Sequence, residues 1–267
     1  MVTDAARYFK TGLYLFAQLG NHCRRIIKPK GAGVVANQEH VNAVSQGPDA
    51  FRRWREEHPD LRLDLEGANL AGVDLSSARL READLRGASL IGAKLSRASL
   101  ADSDLSGADL TDADLGRSSL TRATLSGANL TSANLFWADL KWAKLPNANF
   151  RWSRGVRASF INAELGGADF SQSTMIEVDL RNADLSGANF QNCNLNGADL
   201  SRALMGGANF SLAMIRDSMW IMADLRNANF EGASLHRADM NMAIYDQTTR
   251  FPRGFDPQNT GWKDVEE

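Results

Sequence analysis

The feature that most constrains this chain is a hydrophobic position that recurs every five residues. From Leu65 to Tyr245 this position is large and apolar in 36 of 37 cases, the exception being Gly155, and no insertion breaks the register. The residue two places earlier is small, and in most units it is Ala. A period of five fits neither the 3.6-residue helix nor a long strand, so the chain must turn at every unit.

A second period, of 20 residues, predicts four units in each coil. Glycine recurs at this interval at one turn position, with Asn147 and Asn227 as substitutes that also tolerate a left-handed backbone. The glycines are Gly67, Gly87, Gly107, Gly127, Gly167, Gly187 and Gly207. The sequence therefore predicts an all-β, four-sided parallel solenoid over residues 61–245, with the small and the large residue of each unit inside. Roughly nine coils at about 4.8 Å each give a rod on the order of 43 Å long.

The 20-residue period also aligns five phenylalanines along one inner face, where we expect them to stack in register. They are Phe150, Phe170, Phe190, Phe210 and Phe230. Gly155, the one central position without a side chain, predicts a cavity or a bulge. An interior filled by Leu, Phe and Ala leaves no volume for a substrate, so function belongs on the outer faces or at the ends.

Units such as Ala68-Asn69-Leu70-Ala71-Gly72 resemble the A-(D/N)-L-x-x pattern of pentapeptide repeat proteins over residues 61–245. The resemblance implies a right-handed quadrilateral β-helix. It also implies membership of a class that includes protectors of DNA gyrase and regulators of cyanobacterial signalling. The Trp54-Arg55 segment before the repeats and the Phe251-Pro252-Arg253-Gly254-Phe255-Asp256-Pro257 segment after them are similar to flanking segments of bacterial and cyanobacterial members.

The flanks of the repeats divide into four predicted segments: an amphipathic basic helix over 1–30, a flexible linker over 31–47, a helical N-terminal cap over 48–60, and a C-terminal cap or tail over 246–267. Phe51 and Trp54 share one face of the cap helix, which we expect to cover the first coil. Tyr245, Phe251 and Phe255 predict a hydrophobic lid on the last coil. The alternative for that end is a dimerisation surface.

Residues 1–30 predict a strongly amphipathic helix with a basic polar face. Its apolar stripe includes Tyr8, Phe9, Leu15, Phe16 and Leu19. Such a helix packs on the solenoid, inserts into a groove of a partner protein, or lies on an anionic membrane surface. No apolar run approaches the roughly 18–20 residues that span a bilayer. We therefore expect a cytoplasmic protein, with peripheral attachment to a membrane or a large complex as the alternative.

Between Phe136 and Arg157 the outward positions change character. Three tryptophans stand where other units have Gly, Asn, Asp, Ser or Arg, and five cations surround one carboxylate, Asp139. These residues are Trp137, Trp142, Trp152, Lys141, Lys144, Arg151, Arg154 and Arg157. Exposed tryptophans beside arginines are typical of interface hot spots. The pattern predicts a protein-binding belt over several corners of the rod, with packing against the N-terminal helix as the alternative.

No pattern in the sequence predicts a catalytic, metal or cofactor site. The four histidines and two cysteines have no nucleophile or ligand spacing, and no phosphate-binding loop occurs. The predicted function is therefore a non-enzymatic interaction, scaffold or regulatory protein that binds through the solenoid faces and the N-terminal helix.

Three other functions remain open at the level of sequence. One is a DNA mimic that binds or protects a type II topoisomerase, although the solenoid, with 18 Lys or Arg and 21 Asp or Glu, is nearly balanced in charge. The others are a membrane-surface adaptor and direct nucleic-acid binding by the basic belt, and nucleic acid is not the expected partner. The sequence predicts neither the partner's identity nor the oligomeric state.

Overall fold

The computed structural model describes residues 36–255 and 263–264. Two helices, α1 (Gln38–Ser45) and α2 (Pro48–Glu57), precede the repeats. Two short strands, β1 (Ile244–Tyr245) and β2 (Lys263–Asp264), pair in parallel at the other end. None of the helices in the described part of the chain has the length and apolar character needed to cross a membrane.

Between α2 and β1 the backbone forms a ladder of single parallel bridges. Every fifth residue from Asp64 pairs with the residue 20 places further along, beginning with Asp84. Each coil bonds to both neighbours: the N–H of Leu65 donates to the carbonyl of Asp84 at 2.8 Å, and the N–H of Asp84 donates to the carbonyl of Leu63 at 2.9 Å. The spacing of 20 holds until Asn229, which pairs with Arg250 across one extra residue. A turn every five residues and a pairing every 20 make the rod four-sided.

Each unit ends in a turn whose third residue has a left-handed backbone. In the first such turn the N–H of Ala68 donates to the carbonyl of Leu65 at 3.0 Å, and Gly67 has a φ of 68°. Every fifth residue from Gly67 to Met242 has a positive φ, and most of these residues are not glycine. Glycine therefore does not mark a corner with a special backbone. It marks the one corner that carries almost no side chains, which we call the glycine corner.

The five phenylalanines lie inside the rod in one column. Neighbouring rings from Phe150 to Phe230 have centroids 4.5–5.0 Å apart and planes within 7° of parallel. Each side chain is at most 1% exposed. Phe160, from the opposite side of the coil, meets Phe150 and Phe170 edge-on at 5.7 and 5.9 Å. The interior is thus a dry aromatic stack in this half of the rod.

The expectation of a cavity or bulge at Gly155 is wrong. The side chain of Met175, from the next coil, fills the place of the missing side chain, since a Cβ at Gly155 would lie 2.4 Å from Met175 Sδ. The ladder is unbroken: the N–H of Gly155 donates to the carbonyl of Thr174 at 2.8 Å. A flexible thioether adapts to such a gap more easily than a branched side chain does.

Helix α1 covers the open edge of the first coil. The N–H of Asp64 donates to His40 Nδ1 at 2.9 Å, and the N–H of Asn37 donates to the carbonyl of Asp64 at 3.2 Å. In the middle of the rod, the preceding coil provides the hydrogen-bond partners of the corresponding backbone groups. The first coil has no preceding coil, and α1 takes its place. The flexible linker expected over 31–47 is therefore wrong for residues 38–45. A side-chain cap starts the helix there, because Asn37 Oδ1 accepts from the N–H groups of Glu39 and His40.

Helix α2 packs beside α1 on the same end of the solenoid. Phe51 is 1% exposed and belongs to the main hydrophobic core. Arg55 donates to the carbonyls of Arg79, His58 and Leu61, which ties the helix to the first coil. Burial lowers the pKa of Arg55, and the three carbonyl oxygens accept from its Nε and Nη1 groups.

The last coil is covered by aromatic side chains and by β2. Phe251 lies over Phe230, with ring centroids 6.0 Å apart, and meets Tyr245 edge-on at 5.4 Å. Phe255 contacts Phe251 at 5.5 Å. The hydroxyl of Thr249 donates to the carbonyl of Leu225 at 3.0 Å. Both ends of the ladder are therefore covered, by α1 and α2 at the first coil and by β2 and aromatic side chains at the last.

Candidate protein interaction surface

Four ladders of outward-facing residues define the four faces of the rod. We name each face by its ladder residue in the coil that follows Trp137: the Asp139, Lys144, Asn149 and Arg154 faces. Ladder residues are outward because the positions before and after them, the small and the large residue of each unit, point inside.

The tryptophans occupy three of the four corners between these faces. Trp137 separates the Arg154 and Asp139 faces, Trp142 follows the Asp139 face, and Trp152 precedes the Arg154 face. Asn147 holds the fourth corner, the glycine corner. The belt is therefore an open band that borders the Arg154 and Asp139 faces, not a full ring.

Each of these tryptophans is half exposed on a left-handed backbone. Trp137, Trp142 and Trp152 are 50%, 58% and 52% exposed, with φ angles of 57°, 61° and 57°. A bulky residue in this conformation is an outlier, and the conformation costs roughly 1–2 kcal/mol. Because every fifth residue of the repeat shares this backbone, the exposed indole ring and not the φ angle distinguishes these three corners.

Arginines lie over two of the three rings. Arg157 Cζ is 5.4 Å from the ring centroid of Trp137, one coil away on the same corner, and Arg151 Cζ is 4.8 Å from that of Trp152. Arg157 also donates from Nε to Glu177 Oε2 at 2.5 Å, and this hydrogen bond raises the pKa of Arg157. The cations thus hold the rings in place.

The cations of the belt differ in their partners. Lys141 lies 3.3 Å from Asp139, and Arg151 lies 3.9 Å from Asp169. Arg154 and Lys144 have no ion pair or side-chain hydrogen bond within the described residues. Two positive charges of the belt, on different faces, are therefore available to a ligand.

Two shallow grooves lie between the corners. One, of about 410 Å³, is on the Arg154 face and is lined by Asn134, Phe136, Arg154 and Val156. The other, of about 540 Å³, is on the Asp139 face. Its lining includes Trp137, Lys141, Arg157, Ser159, Ile161 and Arg181. Both grooves are suited to side chains of a second protein and not to the enclosure of a small substrate.

Two buried side-chain atoms in the described part of the chain have no hydrogen-bond partner, and both lie in the belt region. They are Arg151 Nε, beside Trp152, and Ser159 Oγ, in the groove of the Asp139 face. Buried polar atoms in folded proteins are nearly always bonded. The belt therefore combines strained backbone, exposed aromatic surface and unsatisfied polar atoms.

The sequence analysis missed a second exposed apolar group, which we call the methionine cluster. Leu212, Met214, Met219 and Met222 are 41–54% exposed. The ladder runs from Arg154 to Met214 in three steps of 20 residues, about 14 Å. The cluster therefore lies on the same two faces as the belt. Reading the outward columns of the repeat as carefully as the inward ones would have found it, because these positions are polar in most other coils.

Two other groups of side chains in the described residues could in principle bind a metal ion or act as a nucleophile, a carboxylate cluster and a cysteine, but neither is suited to that role. The carboxylates of Asp64, Glu66 and Asp84 lie within 4.8 Å of one another, but Arg86 donates to both Glu66 and Asp84 at 2.7 Å. The Asp84 hydrogen bond raises the pKa of Arg86. Burial raises the pKa of Cys193 to about 12, so this thiol is not a nucleophile.

Some predicted residues lie outside the described part of the chain. The helix predicted over 1–30, with Tyr8, Phe9, Leu15, Phe16 and Leu19, is among them, as are residues 31–35 of the predicted linker. The alternative in which the tryptophans pack against that helix also concerns residues outside the described part of the chain.

The repeats are similar to those of known proteins. A family model described as pentapeptide repeats matches the chain in 8 copies, over segments that run from residue 64 to residue 244. HetL, a pentapeptide repeat protein involved in heterocyst differentiation regulation from the cyanobacterium Nostoc sp. strain PCC 7120, is 30% identical. The match covers 73% of this chain and 96% of HetL, with a TM-score of 0.35.

Two further solved structures are similar over part of the chain. The pentapeptide repeat protein alr5209 from Nostoc PCC 7120 is 36% identical over 42% of this chain and 87% of its own, with a TM-score of 0.27. QnrB1, a plasmid-mediated fluoroquinolone resistance protein, is 17% identical over 74% and 89% of the two chains, with a TM-score of 0.41. No curated protein matches the sequence.

Proposed function

We propose that this chain, which belongs to the pentapeptide repeat family, is a non-enzymatic interaction protein that holds a partner protein on its Arg154 and Asp139 faces. Proteins of this family fold as right-handed quadrilateral β-helices, which agrees with the four-sided ladder. The observation that carries the proposal is the position of large apolar residues with a positive φ. They are Trp137, Trp142, Trp152, Leu212, Met222 and Met242. All six are exposed, and all stand on the three corners that border these two faces.

Each of these residues destabilises the isolated chain in two ways. Its backbone has an unfavourable left-handed conformation, and its apolar side chain is exposed to water. Covering the exposed half of one tryptophan removes on the order of 100 Å² from water, which is favourable by about 2.5 kcal/mol. A partner on these faces would therefore offset the strain. The glycine corner, which has no such residues, needs no partner.

The distribution of charge favours protein interaction over DNA mimicry. Surface carboxylates pair with arginines one coil away, as Asp102 does with Arg122 at 2.6 Å and Asp217 with Arg237 at 2.9 Å. A mimic of DNA needs an uncompensated acidic surface. These pairs neutralise part of the acidic surface, and the solenoid as a whole is nearly balanced in charge.

The proposal includes a second contact through residues 1–30, which rests on the sequence alone. Their amphipathic, basic pattern suits a groove of a partner protein or an anionic membrane surface. We accordingly propose a cytoplasmic location, at the periphery of a membrane or a large complex when that segment is engaged.

The test is capture of partners from extracts of cells that express the chain. The double variant W137S/W142S should lose at least about tenfold in partner recovery, because hot-spot tryptophans contribute 2 kcal/mol or more. I91S/L204S is the matched control, since it also removes two exposed apolar side chains, but away from the belt. Circular dichroism of both variants should match the parent. Equal capture by W137S/W142S and the parent would remove the belt from the proposed function.

A separate deletion tests the N-terminal segment. It should remove residues 1–35 and not 1–47, because Asn37 and His40 cap the first coil. The measurement is co-sedimentation with anionic liposomes and capture from extract. Unchanged behaviour in both would rule out a role of this segment in binding.

A further inference from the structure

We infer that the groove on the Arg154 face binds a partner segment that carries an acidic side chain next to an apolar one. The inference rests on the proposed function, because both place a protein on this face. It adds the chemistry of the segment that is recognised, for which the groove of about 410 Å³ lined by Asn134, Phe136, Arg154 and Val156 is the evidence.

Arg154 supplies the charge. Its ladder neighbours are Asn134 and Thr174, which are uncharged, and it has no ion pair within the described residues. Lys141, Arg151 and Arg157 of the same belt each have a carboxylate within 4.0 Å. The planar guanidinium of an exposed arginine matches a carboxylate with two parallel hydrogen bonds. The residues that line the groove therefore carry one charge, which is positive and shaped for an Asp or Glu side chain.

The remaining lining supplies an apolar contact beside that charge. Phe136 is 38% exposed, and Val156 lies one coil further on the same column and is half-buried. Trp137 stands next to Phe136 at the corner, with ring centroids 6.3 Å apart. An aliphatic or aromatic side chain placed here buries apolar surface on both sides. The groove thus combines one salt bridge with one hydrophobic contact, which a short peptide segment provides.

The same observations favour a peptide over a nucleic acid or a membrane. Backbone phosphates are bound by several unpaired cations in a row, whereas the other arginines around this groove are neutralised by Asp169 and Glu177. A single free guanidinium flanked by apolar side chains suits one carboxylate within an apolar sequence.

The test is selection from a phage library of random linear peptides on the full chain. Selected peptides should be enriched in Asp or Glu beside Phe, Trp, Leu, Ile, Val or Met. Their affinities are then measured by fluorescence polarisation with synthetic peptides. R154E should weaken binding at least about tenfold, since hydrogen bonds to charged groups contribute 1.5–3 kcal/mol. R154Q, which keeps the size of the side chain, should weaken binding less and reduce its salt dependence.

R53E is the matched control, because Arg53 is also an exposed arginine without an ion pair within the described residues, but it lies on α2, outside the four faces of the solenoid. The affinity of this variant should equal that of the parent. Enrichment without acidic residues, no enrichment, equal binding by R154E and R154Q, or a loss in R53E equal to that in R154E would each overturn the inference. Failure of the proposed function is seen separately, as undiminished partner capture by W137S/W142S.

Discussion

Phe150 and Trp152 are two residues apart in the chain, yet the first is fully buried and the second is half exposed. Phe150 lies 4.5 Å from Phe170 in a parallel stack, whereas Trp152 stands on a left-handed corner beside Arg151. Phe150 therefore stabilises the rod, whereas Trp152 destabilises it through its left-handed backbone. Because the five-residue repeat separates inward from outward positions completely, stability and recognition are expected to respond to different mutations.

Phe190→Ala should have the largest effect on stability. Its ring lies between those of Phe170 and Phe210, at 4.8 and 4.9 Å, and truncation leaves a cavity in the stack. We expect a loss of about 3–5 kcal/mol in the free energy of unfolding, measured by urea denaturation followed by circular dichroism. Phe190→Leu, which restores the residue type found at Leu130 in the same column, should lose less. A cost for Phe190→Ala no larger than for Trp152→Ala would contradict the separation of inside from outside.

Gly155→Leu should have the next largest effect, because it tests an inward position that already has an occupant. The new side chain would collide with Met175, and overpacking of this kind costs typically about 1–3 kcal/mol. Adding Met175→Ala should recover part of the loss, since the leucine then fills the space that the methionine left. Strictly additive losses, measured by the same denaturation, would show that the two side chains do not share one site.

Trp137→Gly should change stability by less than about 1 kcal/mol, because relief of the left-handed backbone is offset by the greater freedom of glycine in the unfolded chain. It should nevertheless weaken partner capture. Gly127→Trp is the complementary change on the glycine corner, where a Cβ meets no atom within 4 Å. It should destabilise by about 1 kcal/mol and leave capture unchanged. Increased capture by that variant would mean that any exposed tryptophan suffices.

Acid should reveal the smallest contribution, that of the outer ion pairs. The hydrogen bonds from Arg122 hold the pKa of Asp102 below its usual value. Its stabilising contribution is therefore present above about pH 4, the unfolded value, and is lost as the pH falls through the lower folded pKa. Asp102→Asn should remove this part of the acid dependence of stability, which amounts to less than about 1 kcal/mol in the free energy of unfolding. The measurement is the melting temperature of both proteins as a function of pH. An unchanged acid profile would show that the pair contributes nothing.

The fold was predictable because every coil has the same pattern of inward and outward positions. Leu65 and Leu85, for example, occupy the same inward position in successive coils. Interactions that are not periodic were harder to see. Residues 38–45 look like a polar linker in sequence. Helix α1 is stabilised by the contact of His40 with Asp64 and by the burial of Val44 against the first coil, and neither is part of the repeat pattern. The filling of Gly155 by Met175 depends on a side chain 20 residues away.

The candidate surface was predictable in part. Trp137 stands out in the sequence because tryptophan is rare at turn positions. The difference between Arg157, which is paired with Glu177, and Arg154, which is not, required the alignment of residues 20 apart. The methionine cluster escaped notice since methionine is also an ordinary inward residue, as Met205 is.

Because each ladder residue from Asp64 to Asp224 pairs with the residue 20 places further along, the insertion of whole repeat units has a geometric consequence. Inserting one five-residue unit between Asn194 and Leu204 would turn everything downstream by a quarter of a revolution, carrying Met214 away from the face of Arg154. Inserting four units would leave the two in line and move them apart by about 4.8 Å. The sequence thus sets the angle and the distance between two binding groups in separate increments, and the inner contacts that change are those that cross the insertion, such as the stack of Phe190 on Phe210.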